Sequence, residues 1–170
     1  PSKMRYYYHN NDMLISYQNK KMISTYQNKK GVLMKKFSID MEVRDNELDS
    51  QGIVNNANYM IYLSHARHKH VHNLGINFDQ YAKENQKLIV LSCTMKFKNS
   101  LKANDQFSVS SKIGASEYPY QWVYNQEIKR LSDNKIILKA IFTSTCVNEN
   151  ATDEEEKLYV PELIKKIINE

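Results

Sequence analysis

The stretch Glu47-Leu48-Asp49-Ser50-Gln51-Gly52-Ile53-Val54-Asn55-Asn56-Ala57-Asn58-Tyr59 sets one acidic side chain in a turn just ahead of a run with helical spacing. Gly52 follows Asp49 by three residues, and a glycine there allows a sharp bend or the close approach of a ligand to the backbone. Asn58 offers an N-cap, which predicts a helix beginning at Tyr59. A helix N-terminus presents unpaired N–H groups and partial positive charge. A carboxylate beside such donors makes up half of an acyl-transfer site, in which one group activates water or attacks and the other holds a developing oxyanion.

Outward from this stretch the chain reads strand, helix, then four strands. Residues 37–44 alternate, with Phe37, Ile39, Met41 and Val43 on one face. Tyr59 to about Asn73 is the long helix, with Tyr59, Leu63, Ala66 and His70 near one stripe and Gly75 closing it. A helical turn is expected over 78–84, and strands over 88–97, 106–114, 121–131 and 136–147, separated by turn signals such as Ser132-Asp133-Asn134. Residues 151–157 read as an acidic loop, and Pro161 followed by Leu163-Ile164 and Ile167-Ile168 as a short amphipathic helix. The class is α+β: an antiparallel sheet wrapped around one long central helix.

The resemblance lies in Val43-Arg44-Asp45, Glu47-Leu48-Asp49, Gly52, Val54-Asn55-Asn56-Ala57, and the pattern Tyr59-x-x-Tyr62-x-x-His65-x-Arg67-His68. Together with Lys96-Phe97, Leu101, Asp105, Phe107 and Val109, these residues resemble the hotdog-fold thioesterases of the 4-hydroxybenzoyl-CoA thioesterase type. Within that type the chain is most similar to the plant plastid acyl-carrier-protein thioesterases of the methylketone-synthase kind. The likeness covers residues 37–147 and implies a hotdog fold that hydrolyses acyl-CoA or acyl-carrier-protein thioesters. It also implies protomers paired into a homodimer or homotetramer, and no cofactor.

The resemblance makes Asp49 the group that attacks the thioester carbonyl or activates the hydrolytic water; read by position alone, an aspartate here also shapes an Asx-turn. Asn56, where other relatives carry His or Tyr, is the expected oxyanion donor through its backbone N–H, with its side-chain amide as a second donor. Glu47 reads as a solvated loop glutamate or as a group orienting Asp49. Gly52, Asn55 and Asn58 form the site wall, and Tyr59, Tyr62 and Leu63 line an acyl channel beside the helix. Arg67, Lys69, Lys96, Lys98 and Lys102 are basic positions expected near the site mouth, facing coenzyme A phosphates or an acidic carrier protein. Ser92 and Thr94 are candidates to position water. His65, His68 and His72 share a helix face without a recognisable fourth metal ligand, so no metal is expected.

Composition narrows the alternatives. The net charge of +5 is concentrated in residues 1–36, which hold eight Lys or Arg against Asp12 alone; that stretch carries +7 and the remainder −2, so no nucleic-acid partner is expected. The same basic stretch repeats itself, residues 13–21 against 22–30, and reads as a low-complexity leader resembling an organellar transit segment. A plastid-like organelle is the expected location. The chain opens on Pro1, as a processed or truncated chain would. Cys93 and Cys146 read as buried small hydrophobes in a reducing compartment, and no apolar run is long enough to span a membrane. The organisation expected is a leader over 1–36, the catalytic domain over 37–150, and an acidic loop with a terminal helix over 151–170. A non-catalytic hotdog module that binds acyl groups or carrier protein is the alternative. A hotdog dehydratase fits less well, because its His-Phe-Pro-Gly type segment is missing.

Overall fold

The computed structural model describes residues 5–9, 12–16 and 36–169 and divides the chain into two units, 1–32 and 33–170. In the first, β1 (Arg5–His9) and β2 (Asp12–Ser16) pair antiparallel, with Arg5 opposite Ser16 and His9 opposite Asp12. Reading the basic leader as low-complexity sequence does not anticipate this hairpin. The second copy of the nine-residue repeat, 22–30, lies outside the described residues.

The second unit runs β3 (Lys36–Glu42), α1 (Asn56–Asn73), α2 (Phe78–Lys83), β4 (Gln86–Phe97), β5 (Gln106–Ala115), β6 (Trp122–Arg130), β7 (Ile136–Asn148), α3 (Glu154–Lys157), β8 (Leu158–Tyr159) and α4 (Glu162–Asn169). Its sheet has the order β3-β5-β6-β7-β4 with every pair antiparallel, and β8 adds a short pairing to β7. Period-two alternation supplies one apolar face: Phe107, Val109 and Ile113 from β5, Trp122, Tyr124 and Ile128 from β6, and Leu138, Ala140 and Phe142 from β7 are all buried. The stripe of α1 comprises Tyr59, Tyr62, Leu63, Ala66, Arg67, His70 and Val71. The apolar members of that stripe and the apolar face of the sheet form one core cluster, the expected sheet wrapped around a helix. Burying a side chain such as Leu63, fully removed from solvent, stabilises the pair by roughly 2 kcal/mol.

Two local expectations change, and the expected terminal helix is present. Helix α1 begins three residues earlier than predicted, at Asn56, because Asn55 rather than Asn58 is the N-cap: its Oδ1 accepts from the Ala57 N–H at 2.9 Å. The acidic segment 151–157 contains the short helix α3, followed by β8, whose Leu158 and Tyr159 stand opposite Val147 and Cys146. Helix α4 is part of the core, since Ile164 and Ile167 are fully buried in it.

Two features bear directly on the site. Strand β4 is an edge strand, paired only with β7 among the described residues and bulged between Val90 and Ser92. Ile89, Val90, Leu91 and Phe97 on it are exposed. No described helix is long and apolar enough to cross a membrane.

Candidate active site

The segment before α1 is held as a compact loop by backbone pairing. A bridge joins Leu48 to Val54, Asp49 N–H donates to the Ile53 carbonyl at 2.8 Å, and Gly52 N–H donates to the Asp49 carbonyl at 3.0 Å. Gly52 sits at φ 73° with open space where a Cβ would stand. Side chains other than glycine rarely adopt that left-handed conformation. Asp49 Oδ1 accepts from Gln51 N–H at 2.8 Å and from Ile53 N–H at 3.5 Å. The Asx-turn reading is therefore geometrically real, and it uses only one carboxylate oxygen. Oδ2 takes no hydrogen bond among the described residues.

Glu47 ties this loop to the helix. Its carbonyl accepts from Asn55 N–H at 2.9 Å and from Asn58 Nδ2 at 2.7 Å, while its Oε2 accepts from Arg44 N–H at 2.8 Å and Tyr62 O–H at 2.6 Å. The expected solvated glutamate is thus a half-buried anchor bonded away from Asp49. Burial, reinforced by the Glu47 carboxylate, holds the Tyr62 phenol well above its ordinary range. Asn58, read as the cap, instead clamps the loop to the first turn of α1.

That first turn leaves one donor open. Ala57 N–H is taken by the Asn55 side chain and Asn58 N–H by the Asn55 carbonyl at 3.0 Å. Asn56 N–H, at the first helical position, has no acceptor among the described residues, and its side chain is exposed. An open N–H at the positive end of an 18-residue helix is chemically suited to a developing negative charge.

The other candidates divide. Tyr59 and Leu63, expected to line a channel, are packed in the protomer core; the Tyr59 hydroxyl accepts from Leu101 N–H at 3.1 Å and its ring meets Phe97 edge-on at 5.5 Å. Tyr62 packs on Phe107 at 4.7 Å. Arg67 is not at a surface mouth: only 7% exposed, it donates from Nη1 to Gln126 Oε1 at 2.8 Å and lies 3.6 Å over the Phe142 ring. Helical periodicity places it one turn beyond Leu63, facing the sheet, where its charge alone suggested solvent. Thr94 and Lys96 stand on the sheet face turned away from α1, in the wall of a cleft of about 750 Å³ with Lys112, Lys139 and Ile141. The sheet separates them from the loop of Asp49. Ser92, Lys69, Lys98 and Lys102 are exposed.

His70 is the buried histidine, stacked on Phe37 at 5.5 Å with Nδ1 3.3 Å from Ser111 Oγ. His65, His68 and His72 are exposed; the ring of His68 stands edge-on to Phe78, and burial followed by the neighbouring Arg67 charge lowers its pKa. Sequence reading passed over Gln126, which bridges Arg67 to the Leu63 carbonyl at 3.0 Å from Nε2. A polar residue at a core-facing position of an alternating strand was the available signal.

Two clefts of the protomer, about 750 and 670 Å³, have neither Asp49 nor Asn56 in their walls. The second of these lies between β3 and α1 and includes Glu47, Tyr62 and His65.

An edge-open antiparallel sheet around one long helix, with an aspartate loop at the N-terminus of that helix, defines a class of domain, the hotdog. The chain belongs to the thioesterase-like superfamily, whose family model matches residues 43–166. It is 35% identical over 102 residues to the chloroplastic acyl-acyl carrier protein thioesterase ATL3 of Arabidopsis thaliana, covering 60% of this chain and 53% of that one. It is 33% identical over 102 residues to ATL2 of the same plant, covering 60% and 54%. The chain thus spans about half the length of these curated relatives. Among solved structures it is similar to the 1,4-dihydroxy-2-naphthoyl-CoA thioesterase Slr0204 of Synechocystis, with a TM-score of 0.69, 15% identity and coverage of 79% of this chain and 96% of that one. A 4-hydroxybenzoyl CoA thioesterase solved with 4-hydroxybenzoyl CoA gives a TM-score of 0.68 at 13% identity, covering 79% and 99%. At these identities the solved structures establish the shared hotdog fold.

Proposed function

We propose that this protein is an acyl thioesterase that hydrolyses acyl-CoA or acyl-carrier-protein thioesters to the free acid and thiol. The observation that carries the reading is an unbonded Asp49 Oδ2 and an open Asn56 N–H on one short loop and helix start that Glu47 pins together. The superfamily membership and the names of the plant relatives support it. The substrate carbonyl would take the Asn56 N–H. Asp49 either draws a proton from water as its oxygen attacks the carbonyl carbon, or attacks directly to form an anhydride that water then opens. In both routes the C–S bond breaks, the thiolate leaves and recovers a proton, and the acid remains. Thiolate is a good leaving group, so one carboxylate suffices without a triad.

The assembly we propose is a homodimer, or a tetramer built from it, in which β4 of one copy pairs with β4 of another. Its free edge and exposed Ile89, Val90, Leu91 and Phe97 support this, because an uncovered apolar edge strand is an association surface. The absence of Asp49 and Asn56 from the clefts of about 750 and 670 Å³ fits a substrate channel completed by the partner, with Gly52 and Asn55 on its near side. Lys96 on exposed β4 and Lys98 just beyond its end would meet the anionic carrier. The basic leader and the chloroplastic relatives support a plastid-like location, which a fluorescent fusion of the full chain tests directly.

Thiol release from a panel of acyl-CoA and acyl-carrier-protein thioesters, run beside Asp49→Asn, tests the reaction. Asparagine keeps the Oδ1 acceptor and hence the turn, so the expected loss is chemical, about 10² to 10⁴-fold in kcat. Undiminished turnover in the variant overturns the mechanism. Binding without thiol release, in the unsubstituted protein, means the acyl-binding module instead.

A further inference from the structure

A smaller cavity of about 110 Å³ lies farther along α1, between the helix, β4 and the core ends of β6 and β7. Arg67, Trp122, Tyr124 and Ser144 give it a polar wall, and Phe78 and Val90 stand on its apolar side. One feature of this wall is unbalanced. The Arg67 guanidinium is buried, yet no carboxylate pairs with it among the described residues: it rests on the Gln126 amide and the face of Phe142. A buried cation without a counter-charge loses its hydration and recovers little of it from neutral neighbours. Burial accordingly lowers the Arg67 pKa, opposed only by the phenol of Tyr124 and the thiol of Cys93 and by no carboxylate. Trp122, in the same wall, keeps its Nε1–H fully shielded from solvent. Its neighbour is Tyr124, edge-on at 6.2 Å, and the contact of the Trp122 N–H with the Tyr124 hydroxyl opposes the rise that burial gives the Tyr124 pKa.

We infer that this cavity is a binding site for a carboxylate carrying a short apolar body. A planar carboxylate matches the fork of an arginine guanidinium in both shape and charge. The apolar side accommodates the hydrocarbon. The volume suits a small ligand, of a few carbon atoms up to a single ring. The inference stands on the uncompensated Arg67 charge in the cavity wall and holds whether or not the protein hydrolyses thioesters. The carboxylate has two conceivable sources, the distal end of a bound acyl chain or a free short acid, and the experiment separates them.

Trp122 is the only tryptophan of the chain, so its emission reports on this cavity. The full chain is titrated with butyrate and benzoate, with butyramide, benzamide and chloride as controls, and calorimetry repeats each titration. Saturable changes are expected with the carboxylates alone. Arg67→Gln, checked for folding by circular dichroism, should bind about ten to a hundred times more weakly, the scale set by losing a charged hydrogen bond. Ser144→Ala, at the same wall, is the second variant and should weaken binding less. A pantetheine thioether ending in a carboxylate is compared with its methyl-ended analogue. If the carboxylate-ended compound binds far more tightly than free butyrate, the acyl end is the source; if butyrate binds equally well, a free acid is. No saturable signal from any carboxylate with the unsubstituted chain, or an equal response to the amides or chloride, overturns the assignment.

Discussion

Around Asp49, each hydrogen bond decides which atoms remain for chemistry. Its Oδ1 is spent on the turn, Asn55 and Asn58 are spent on the cap and the loop clamp, and what remains open is Oδ2 and the Asn56 N–H. The sequence named these residues but misassigned some of their roles. Asn55, Asn56 and Asn58 are chemically identical caps on paper, and only backbone geometry selects one of them. The open N–H yields a direct test. Proline is well tolerated at the first helical position, provided the residue before it is extended. Asn55 already has that conformation, at φ −60° and ψ 139°. Asn56→Pro should therefore retain the fold and melting temperature while removing the donor, with kcat falling about 10² to 10³-fold. Asn56→Ala should lose little, because it keeps the N–H. Equal activity in both variants, measured by thiol release, would exclude the backbone oxyanion donor.

At the scale of elements, period and turn chemistry were legible. The alternation of β5, β6 and β7 gave the core face, and Asn134 sits at φ 59° in the predicted turn between β6 and β7. Less legible was the setting of β4, whose run Leu88-Ile89-Val90-Leu91 shows a strand without showing its place in the sheet. In the protomer it is an edge strand with Ile89, Val90 and Leu91 exposed. The second copy proposed for this edge makes a prediction. Val90→Lys, at a position 46% exposed, should leave the protomer folded and shift the molecule to monomer in light scattering coupled to size exclusion. If the channel needs the partner, activity falls in parallel with the dimer fraction. A monomeric variant with full activity would separate the reaction from the assembly.

For the whole molecule, the C-terminal segment shows how far the core reaches. Helix α4 contributes Ile164 and Ile167 to the cluster that includes α1 and the sheet, so the terminal residues belong to the fold. Ile164 is fully buried. Ile164→Ala should destabilise the protein by about 2 to 5 kcal/mol in urea unfolding, the range for deleting a buried branched side chain. A change below about 0.5 kcal/mol, the usual scale for surface substitutions, would mean that α4 is detached in solution. The sequence by itself determined the order of elements, the helix stripe and the aspartate loop, because hydrophobic period and turn residues act over short range. Tertiary structure decided the rest: that Arg67 turns inward onto Phe142 and Gln126, that Thr94 falls on the opposite face of the sheet from Asp49, and that Asn55 caps the helix. Those outcomes depend on which face each residue presents once helix and sheet compete for the same interior, and that competition is settled only by packing.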